Sequence, residues 1–258
     1  MTGYKSLKSA DEVDPEDFVH VILTRLVHDK KKKLVVKIHE AGSMFASREI
    51  KAMKKFDGYR NTVQLVCDFV CQDDKARWQW PISKKTSFCN GSNGNGSSLL
   101  HFIAMEYIHD GDLGEFLSRT RDCQVLASFF LQTTRVIIEL GSIYKIAHGD
   151  INSGNIMVTT TKKARLAYNC MGNIVHVDPC GYIPVFLDYG RSTDYEDNTK
   201  NKRDILQDVL MAFHVYSNWM ASQKLKTNVR SFIQNEMNHN KRDLDKLVMH
   251  IKTMFEDP

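Results

Sequence analysis

Two early segments of the chain carry the apolar, β-branched pattern that predicts β-strands. The first covers residues 19–27 and the second covers residues 34–39. A run of four lysines at residues 30–33 lies between them. We interpret this run as a solvated hairpin turn rather than as a nucleic-acid or membrane patch, because the other basic residues are spread along the chain.

A helix is predicted next, at residues 45–57, because Ile50, Met53 and Phe56 recur on one helical face. A further strand is predicted near residues 62–71. Three strands around one helix in the first third of the chain indicate a β-rich start.

The later chain alternates between polar and helical patterns. Residues 73–98 are irregular and polar, and residues 90–98 contain only Gly, Ser and Asn, which predicts a flexible insertion. The apolar spacing at residues 122–146 predicts a long helix. Helical spacing returns at residues 232–255, where we expect core packing rather than a partner site.

Candidate chemistry lies in the sequence His-Gly-Asp-Ile-Asn-Ser-Gly-Asn at residues 148–155. It places Asp150 five positions before Asn155, and Asp188 ends the apolar run of residues 183–187. Phosphoryl transfer with Mg²⁺ needs a group that orients a hydroxyl and oxygen ligands for the metal. The spacing therefore indicates a kinase-type site, although a His beside an Asp is more often only a loop hydrogen-bond pair.

A lysine and a glutamate upstream fit the same chemistry. Lys37 lies in the second predicted strand, and Glu49 lies in the helix that follows it. A strand lysine and a helix glutamate can form an ion pair that holds the lysine against the phosphates of a nucleotide. Either residue alone would be interpreted as a solvated surface charge.

The order of these four elements resembles the protein kinase superfamily, from about residue 20 to about residue 215. The resemblance implies an α+β, two-lobed, protein-kinase-like fold formed as a single domain by residues 1–258. The small β-rich N-lobe would cover residues 1–106, with the flexible insertion at residues 73–98. The mainly helical C-lobe would cover residues 109–258.

The resemblance implies a role for each of these residues. Asp150 would orient the substrate hydroxyl and accept its proton, while Asn155 and Asp188 would bind Mg²⁺. Lys37, held by Glu49, would position the α- and β-phosphates of ATP.

Two further segments resemble kinase elements. Residues 103–113 are similar to the hinge between kinase lobes, although a buried strand ending in an Asp-Gly turn is the alternative. Asp204 is similar to the aspartate that braces the catalytic loop, although it could be an ordinary helix cap. In the hinge, the resemblance places the gatekeeper at Met105, the backbone contacts to adenine at Glu106, Tyr107 and Ile108, and a ribose contact at Asp112.

The chain also departs from the common kinase pattern. No G-x-G-x-x-G precedes Lys37, so the usual cover over the phosphates is missing from the sequence. Gly149 replaces the usual arginine of H-R-D, as in small atypical kinases linked to tRNA modification and in aminoglycoside kinases. Asn152 replaces a lysine, which predicts a slower reaction. The insert at residues 168–184 resembles kinases of large DNA viruses and, more distantly, the haspin group, or is an unrelated surface hairpin.

Composition narrows the class of protein further. The chain has 258 residues, is 42% hydrophobic and carries a net charge of +4, which suits one or two compact units. No apolar run reaches the roughly 20 residues that span a bilayer, and the first residues lack a signal-peptide pattern. The six cysteines form no C-x-x-C pair, so we expect them to be reduced and mostly buried in an intracellular protein.

We therefore predict an ATP-dependent phosphotransferase, with ATP and Mg²⁺ as its cofactors. The favoured activity is that of a serine/threonine protein kinase that transfers the γ-phosphate to a protein substrate. Two alternatives stay open: a pseudokinase that acts as a binding or decoy module, and a small-molecule kinase. The expected location is cytoplasmic, in a host cell or virion if the protein is viral, with a host or viral protein partner but neither nucleic acid nor a membrane.

Overall fold

The computed structural model describes residues 19–25, 33–74, 89, 97–170, 172–195 and 201–217. In this part of the chain the protein is mixed α+β, as predicted, with one four-stranded sheet, short strand pairs and four helices. The residues fall into two compact units. Unit 1 lies within residues 1–50 and 64–107, and unit 2 lies within residues 51–63 and 108–258.

Unit 1 is organised around an antiparallel sheet. Its strands are β1 (Val19–Arg25), β2 (Lys33–Glu40), β3 (Leu65–Asp74) and β4 (Ser97–Glu106), in the order β1-β2-β4-β3. The two strands predicted at the start of the chain are confirmed as β1 and β2, which pair antiparallel. The predicted lysine turn lies outside the described residues, except for Lys33, which begins β2.

One face of this sheet forms an apolar core. Val36 and Ile38 of β2 lie opposite Ala104 and Phe102 of β4, and all four side chains are buried. Phe69 of β3 stacks on Phe102, with ring centroids 5.1 Å apart. Because successive side chains of a strand point to opposite faces, Lys37 is directed to the other face of the sheet.

Helix α1 (Met44–Lys55) follows β2, close to its predicted position. Its apolar stripe is buried, with Met53 and the following Phe56 both at most 2% exposed. The helix crosses the division between the two units: its residues up to Ile50 belong to unit 1, and those from Lys51 onward belong to unit 2.

The two ends of the predicted insertion of residues 73–98 belong to strands. Asp73 and Asp74 end β3, and Ser97 and Ser98 begin β4, where each pairs with its counterpart on the other strand. Backbone hydrogen bonding between the strands overrides the polar composition of these residues. Residues 75–88 and 90–96, which form the rest of the prediction, lie outside the described residues.

The expectation that all cysteines are reduced is wrong. Cys71 of β3 and Cys89 are joined by a disulfide, with Cα atoms 5.4 Å apart. The backbone N–H of Cys89 also donates to the buried carboxylate of Asp73, at 2.8 Å. Of the cysteines described as free, Cys67 is exposed and Cys180 is partly buried, so these two are not core residues.

The described part of unit 2 contains three helices besides the end of α1: α2 (Leu113–Arg119), α3 (Cys123–Ser142) and α4 (Asn201–Ser217). Asp122 caps α3, because its carboxylate accepts from the backbone N–H groups of Gln124 and Val125. The predicted long helix is confirmed as α3, although it ends at Ser142. Tyr216 of α4 packs edge-on against Phe130 of α3.

Short antiparallel strand pairs complete unit 2. β5 (Ile146–Ala147) pairs with β10 (Thr193–Asp194), and β6 (Ile156–Thr160) pairs with β9 (Tyr182–Phe186). The insert between β6 and β9 is a hairpin of β7 (Leu166–Cys170) and β8 (Asn173–Val177). The helical pattern predicted for residues 232–255 lies outside the described residues. Within the described ranges, no helix has the length and apolar character needed to cross a membrane.

Candidate active site

The predicted lysine and glutamate meet inside unit 1. Glu49 accepts a hydrogen bond from Nζ of Lys37 at 2.6 Å, and the two side chains are 1% and 8% exposed. Lys37 comes from β2, and Glu49 comes from the first half of α1. A charge-assisted bond between buried partners is short and directional, so the ammonium group is held in one place.

A histidine stands beside this ion pair. His39 lies two residues after Lys37 on the same face of β2, and its Nε2 is 3.9 Å from the second carboxylate oxygen of Glu49. His39 is 3% exposed. The glutamate therefore lies between two basic side chains, a feature that the sequence analysis did not identify.

The predicted hinge residues have clear structural roles. Met105 is buried near the end of β4. Glu106 forms two hydrogen bonds with Gln64: its N–H donates to the Gln64 carbonyl at 3.1 Å, and its carboxylate accepts from the Gln64 N–H at 3.0 Å. Lys33 lies over the ring of Tyr107, 5.1 Å from its centroid. Ile108 is partly buried at the start of the unit 2 segment.

Asp112, the predicted ribose contact, caps helix α2. Its Oδ1 accepts from the backbone N–H of Glu115 at 2.8 Å. A cap is the ordinary role for an aspartate at this position, and the same carboxylate has a second oxygen for other contacts.

The loop of residues 148–155 brings two predicted residues together in unit 2. The side-chain amide of Asn155 donates to Oδ2 of Asp150 at 3.1 Å and to the Asp150 carbonyl at 2.9 Å. The loop is shaped by Asn152, whose side-chain oxygen accepts from the N–H groups of Gly154 and Asn155. This asparagine turn explains locally why Asn152 suits the position.

The segment that carries Asp188 is joined to the same loop. The N–H of Leu187 donates to the carbonyl of Asn155 at 3.1 Å, and Nε2 of His148 lies 3.0 Å from the carbonyl of Leu187. Two hydrogen bonds therefore fix the residue immediately before Asp188. Asp188 itself has φ of +65°, a left-handed conformation that Asp tolerates better than most residues.

A buried aspartate on α4 braces this loop, but it is not the predicted one. Oδ2 of Asp208 accepts from the N–H of His148 at 2.7 Å, and Oδ1 accepts from the N–H of Gly149 at 3.0 Å. The prediction of Asp204 is wrong: Asp204 accepts from the hydroxyl of Tyr195 at 2.5 Å instead. The two aspartates are one helical turn apart, so the sequence pattern alone did not separate them.

Burial changes the acidity of the bracing residue. Asp208 is 3% exposed. Desolvation raises the pKa of Asp208 to about 7, while the two backbone donors from Gly149 and His148 oppose this rise. Asp204 and Asp150 add a smaller upward effect through their negative charge.

The structure explains why a glycine occupies position 149. Gly149 has φ of +77°, and a Cβ atom there would lie 2.6 Å from the carbonyl oxygen of Arg191. A side chain cannot fit against this backbone without moving it. The close approach of Arg191 therefore favours a residue without a side chain at position 149.

Aromatic contacts connect the site loop with the end of α1 inside unit 2. The ring of Phe56 lies 5.0 Å from that of Tyr189, and Tyr189 lies 4.9 Å from His148. Tyr144 packs edge-on against Phe56 at 5.2 Å. These contacts bury the Asp-Tyr-Gly segment on one side.

The metal ligands predicted from the sequence suit Mg²⁺. Among the described residues, no group of three or more His, Cys, Asp or Glu side chains is arranged to hold a metal ion. Mg²⁺, however, is usually bound through one or two carboxylates together with phosphates and water. The carboxylate of Asp188 and the amide oxygen of Asn155 provide hard oxygen donors of the right kind.

Comparison with known proteins adds no family assignment. No protein-family profile matches this chain, and no curated protein matches its sequence. Any function proposed for this chain therefore depends on its residues and their geometry.

Proposed function

We propose that this chain is an ATP-dependent phosphotransferase with a two-lobed, kinase-like fold, and that it acts as a serine/threonine protein kinase. The observation that carries the proposal is the joining of Asp150, Asn155 and the residue before Asp188 by side-chain and backbone hydrogen bonds. Asp150, Asn155 and Asp188 carry the oxygen atoms that the chemistry requires, and they come from two separate stretches of chain.

The loop supplies groups for the reacting hydroxyl. Asp150 is partly buried, and Asn155 holds one of its carboxylate oxygens. In the proposed reaction the other oxygen of Asp150 accepts the hydrogen bond of the substrate hydroxyl and then its proton. Asn155 thus both orients the base and offers its amide oxygen to a metal ion.

Asp188 and Asn155 would hold Mg²⁺, which neutralises negative charge on the phosphates when it is bound. The hydrogen bonds of Leu187 with Asn155 and with the His148 ring hold the residue next to Asp188 in place. Lys37 provides a cation for the α- and β-phosphates, and Glu49 prevents it from taking other orientations.

Binding of Mg-ATP tests the proposal first. A ligand present at a hundred times its Kd stabilises the folded state by about 2.7 kcal/mol, which corresponds to a shift in Tm of roughly 5 °C or more for a chain of this size. We expect this shift for the unmodified protein and its loss in Asp188→Asn or in EDTA. Asp57→Asn, an exposed residue after α1, is the matched control and should keep the shift.

Phosphate transfer tests the substrate class. With γ-labelled ATP, we expect label on protein hydroxyls and none when Asp150→Asn is used. Label on hydroxylated metabolites alone would identify a small-molecule kinase. A full Mg-ATP shift without any transfer would identify a pseudokinase, and the lack of any shift would refute the proposal.

A further inference from the structure

Helix α1 is held at its end by an ionic contact that the kinase proposal does not use. Nζ of Lys51 lies 2.7 Å from Oδ2 of Asp194, and Nζ of Lys55 lies 2.7 Å from Oδ1 of the same residue. The two lysines are four positions apart, so they project from the same side of the helix. Each oxygen of one carboxylate is thus bound to a different lysine.

Asp194 is itself fixed within unit 2. It belongs to β10, and it lies opposite Ile146 of β5 in an antiparallel pair. The N–H of the next residue, Tyr195, donates to the carbonyl of Lys145 at 2.8 Å. The side chain of Asp194 is 20% exposed, whereas those of Lys51 and Lys55 are 61% and 37% exposed. Asp194 is therefore the least exposed of the three charged residues, and the two more exposed lysine side chains extend to its carboxylate.

Each side of this contact lies close in the chain to a candidate site residue. Lys51 follows Glu49 by two positions on α1, and Glu49 holds Lys37. On the other side, β5 ends at Ala147, three residues before Asp150. The contact between Asp194 and the two lysines therefore joins the last part of α1 to the strand pair that leads into the loop of Asp150.

We propose that Asp194 is a positioning residue, which anchors the end of helix α1 to the β10–β5 strand pair through Lys51 and Lys55. This inference rests on the proposed phosphotransferase function. All three charges are encoded in the chain, so the anchor forms without covalent modification. Exposed ion pairs are individually weak, so the anchor makes a modest and salt-sensitive contribution.

Desolvation raises the pKa of Asp194, but the hydrogen bonds and charges of Lys51 and Lys55 outweigh it and lower the pKa overall. Asp194 therefore stays ionised at neutral pH. The apolar contacts of Phe56 with Tyr144 and Tyr189 do not involve Asp194, so we expect the variant to fold.

Hydrogen–deuterium exchange tests the anchor without reference to ATP. In Asp194→Asn we expect the amides of α1 to exchange roughly three- to tenfold faster, with α3 unchanged. The matched control Asp57→Asn should leave the exchange of α1 as it is. Unchanged exchange in Asp194→Asn would overturn the anchor, whether or not the protein binds ATP.

Kinetics test whether the anchor positions the site. We expect kcat/KM for ATP to fall roughly three- to tenfold in Asp194→Asn, and raising NaCl from about 0.05 M to about 0.5 M to lower it more in the unmodified enzyme than in the variant. Exchanging the charges, with Lys51→Asp and Lys55→Asp added to Asp194→Lys, should restore most of the loss. Faster exchange of α1 with unchanged kinetics, or no rescue by the exchanged charges, would overturn the positioning role. If the unmodified protein fails to bind Mg-ATP, the proposed function fails instead, and the exchange experiment still decides the anchor.

Discussion

Glu49 holds the ammonium group of Lys37 at 2.6 Å where water has almost no access. Removing one member of a buried ion pair leaves an uncompensated charge, which costs about 3–5 kcal/mol, whereas replacing both members by apolar residues is often neutral. We expect Glu49→Leu to lower the free energy of unfolding by about 3 kcal/mol, and Lys37→Met combined with Glu49→Leu to recover most of it.

The two variants separate stability from function. Chemical denaturation measures the free energy of unfolding, and the Mg-ATP shift in Tm measures nucleotide binding. If Lys37 contacts phosphates, the shift should be absent from the double variant even though its stability has recovered. A double variant that is stable and still shows the full shift would remove Lys37 from the nucleotide site.

The backbone around Gly149 leaves no room for a side chain. We expect Gly149→Ala to destabilise the protein by about 2 kcal/mol or more, because the alanine must adopt a positive φ and its Cβ would press on the carbonyl of Arg191. Gly172 is the matched control: it has φ of +90° but no atom within 4 Å of its Cβ position. Gly172→Ala should therefore cost only the conformational strain of about 1 kcal/mol. Equal losses in the two variants would show that the contact with Arg191 has no energetic weight.

Asp208 predicts how stability depends on pH. Burial raises the pKa of Asp208 to about 7, above its ordinary value of 3.8, so the folded state binds more protons than the unfolded state between these two values. The contribution of Asp208 to stability is therefore fully present below pH 3.8 and is lost as the pH rises to about 7. The free energy of unfolding of the unmodified protein, minus that of Asp208→Asn, should be larger at pH 5 than at pH 8. A difference that grows with pH would contradict the raised pKa.

The disulfide between Cys71 and Cys89 closes a loop with a sequence separation of 18. A cross-link of this length stabilises a folded protein by about 3 kcal/mol, mainly by restricting the unfolded chain. We expect Cys71→Ala with Cys89→Ala to lose about this amount in denaturation under non-reducing conditions. Cys67→Ala, a change at a free and exposed cysteine, should have a small effect. The cross-linked peptide should also be found by mass spectrometry without reduction, and its absence would contradict the pairing.

Local patterns were sufficient to predict two of the contacts in the candidate site. Lys37 was placed on a strand and Glu49 on a helix because strand and helix periods are visible in the order of apolar residues. The turn around Asn152 is a similar case, since an asparagine followed by Ser-Gly is a turn pattern in itself. Asp150 and Asn155 meet because only a tight loop separates them.

The sequence pattern could not predict which of two similar residues on α4 contacts the loop of residues 148–155. Asp204 and Asp208 are one turn apart on α4 and present the same chemistry to the same side. Only the packing of α4 decides that Asp208 reaches the backbone of His148 and Gly149, while Asp204 reaches Tyr195. The same holds for Gly149. A side chain is excluded at this position by the carbonyl of Arg191, which comes from a distant segment and not from the loop of Gly149 itself.

The sequence by itself determined the elements and the types of chemical group that they carry, because helix, strand and turn preferences depend on neighbouring residues. The tertiary structure decided which distant groups meet. Lys55 donates a hydrogen bond to Asp194, which lies 139 positions later in the chain, and Cys71 forms a disulfide with Cys89. Such contacts depend on how packed elements are oriented, and no local pattern of residues encodes that orientation.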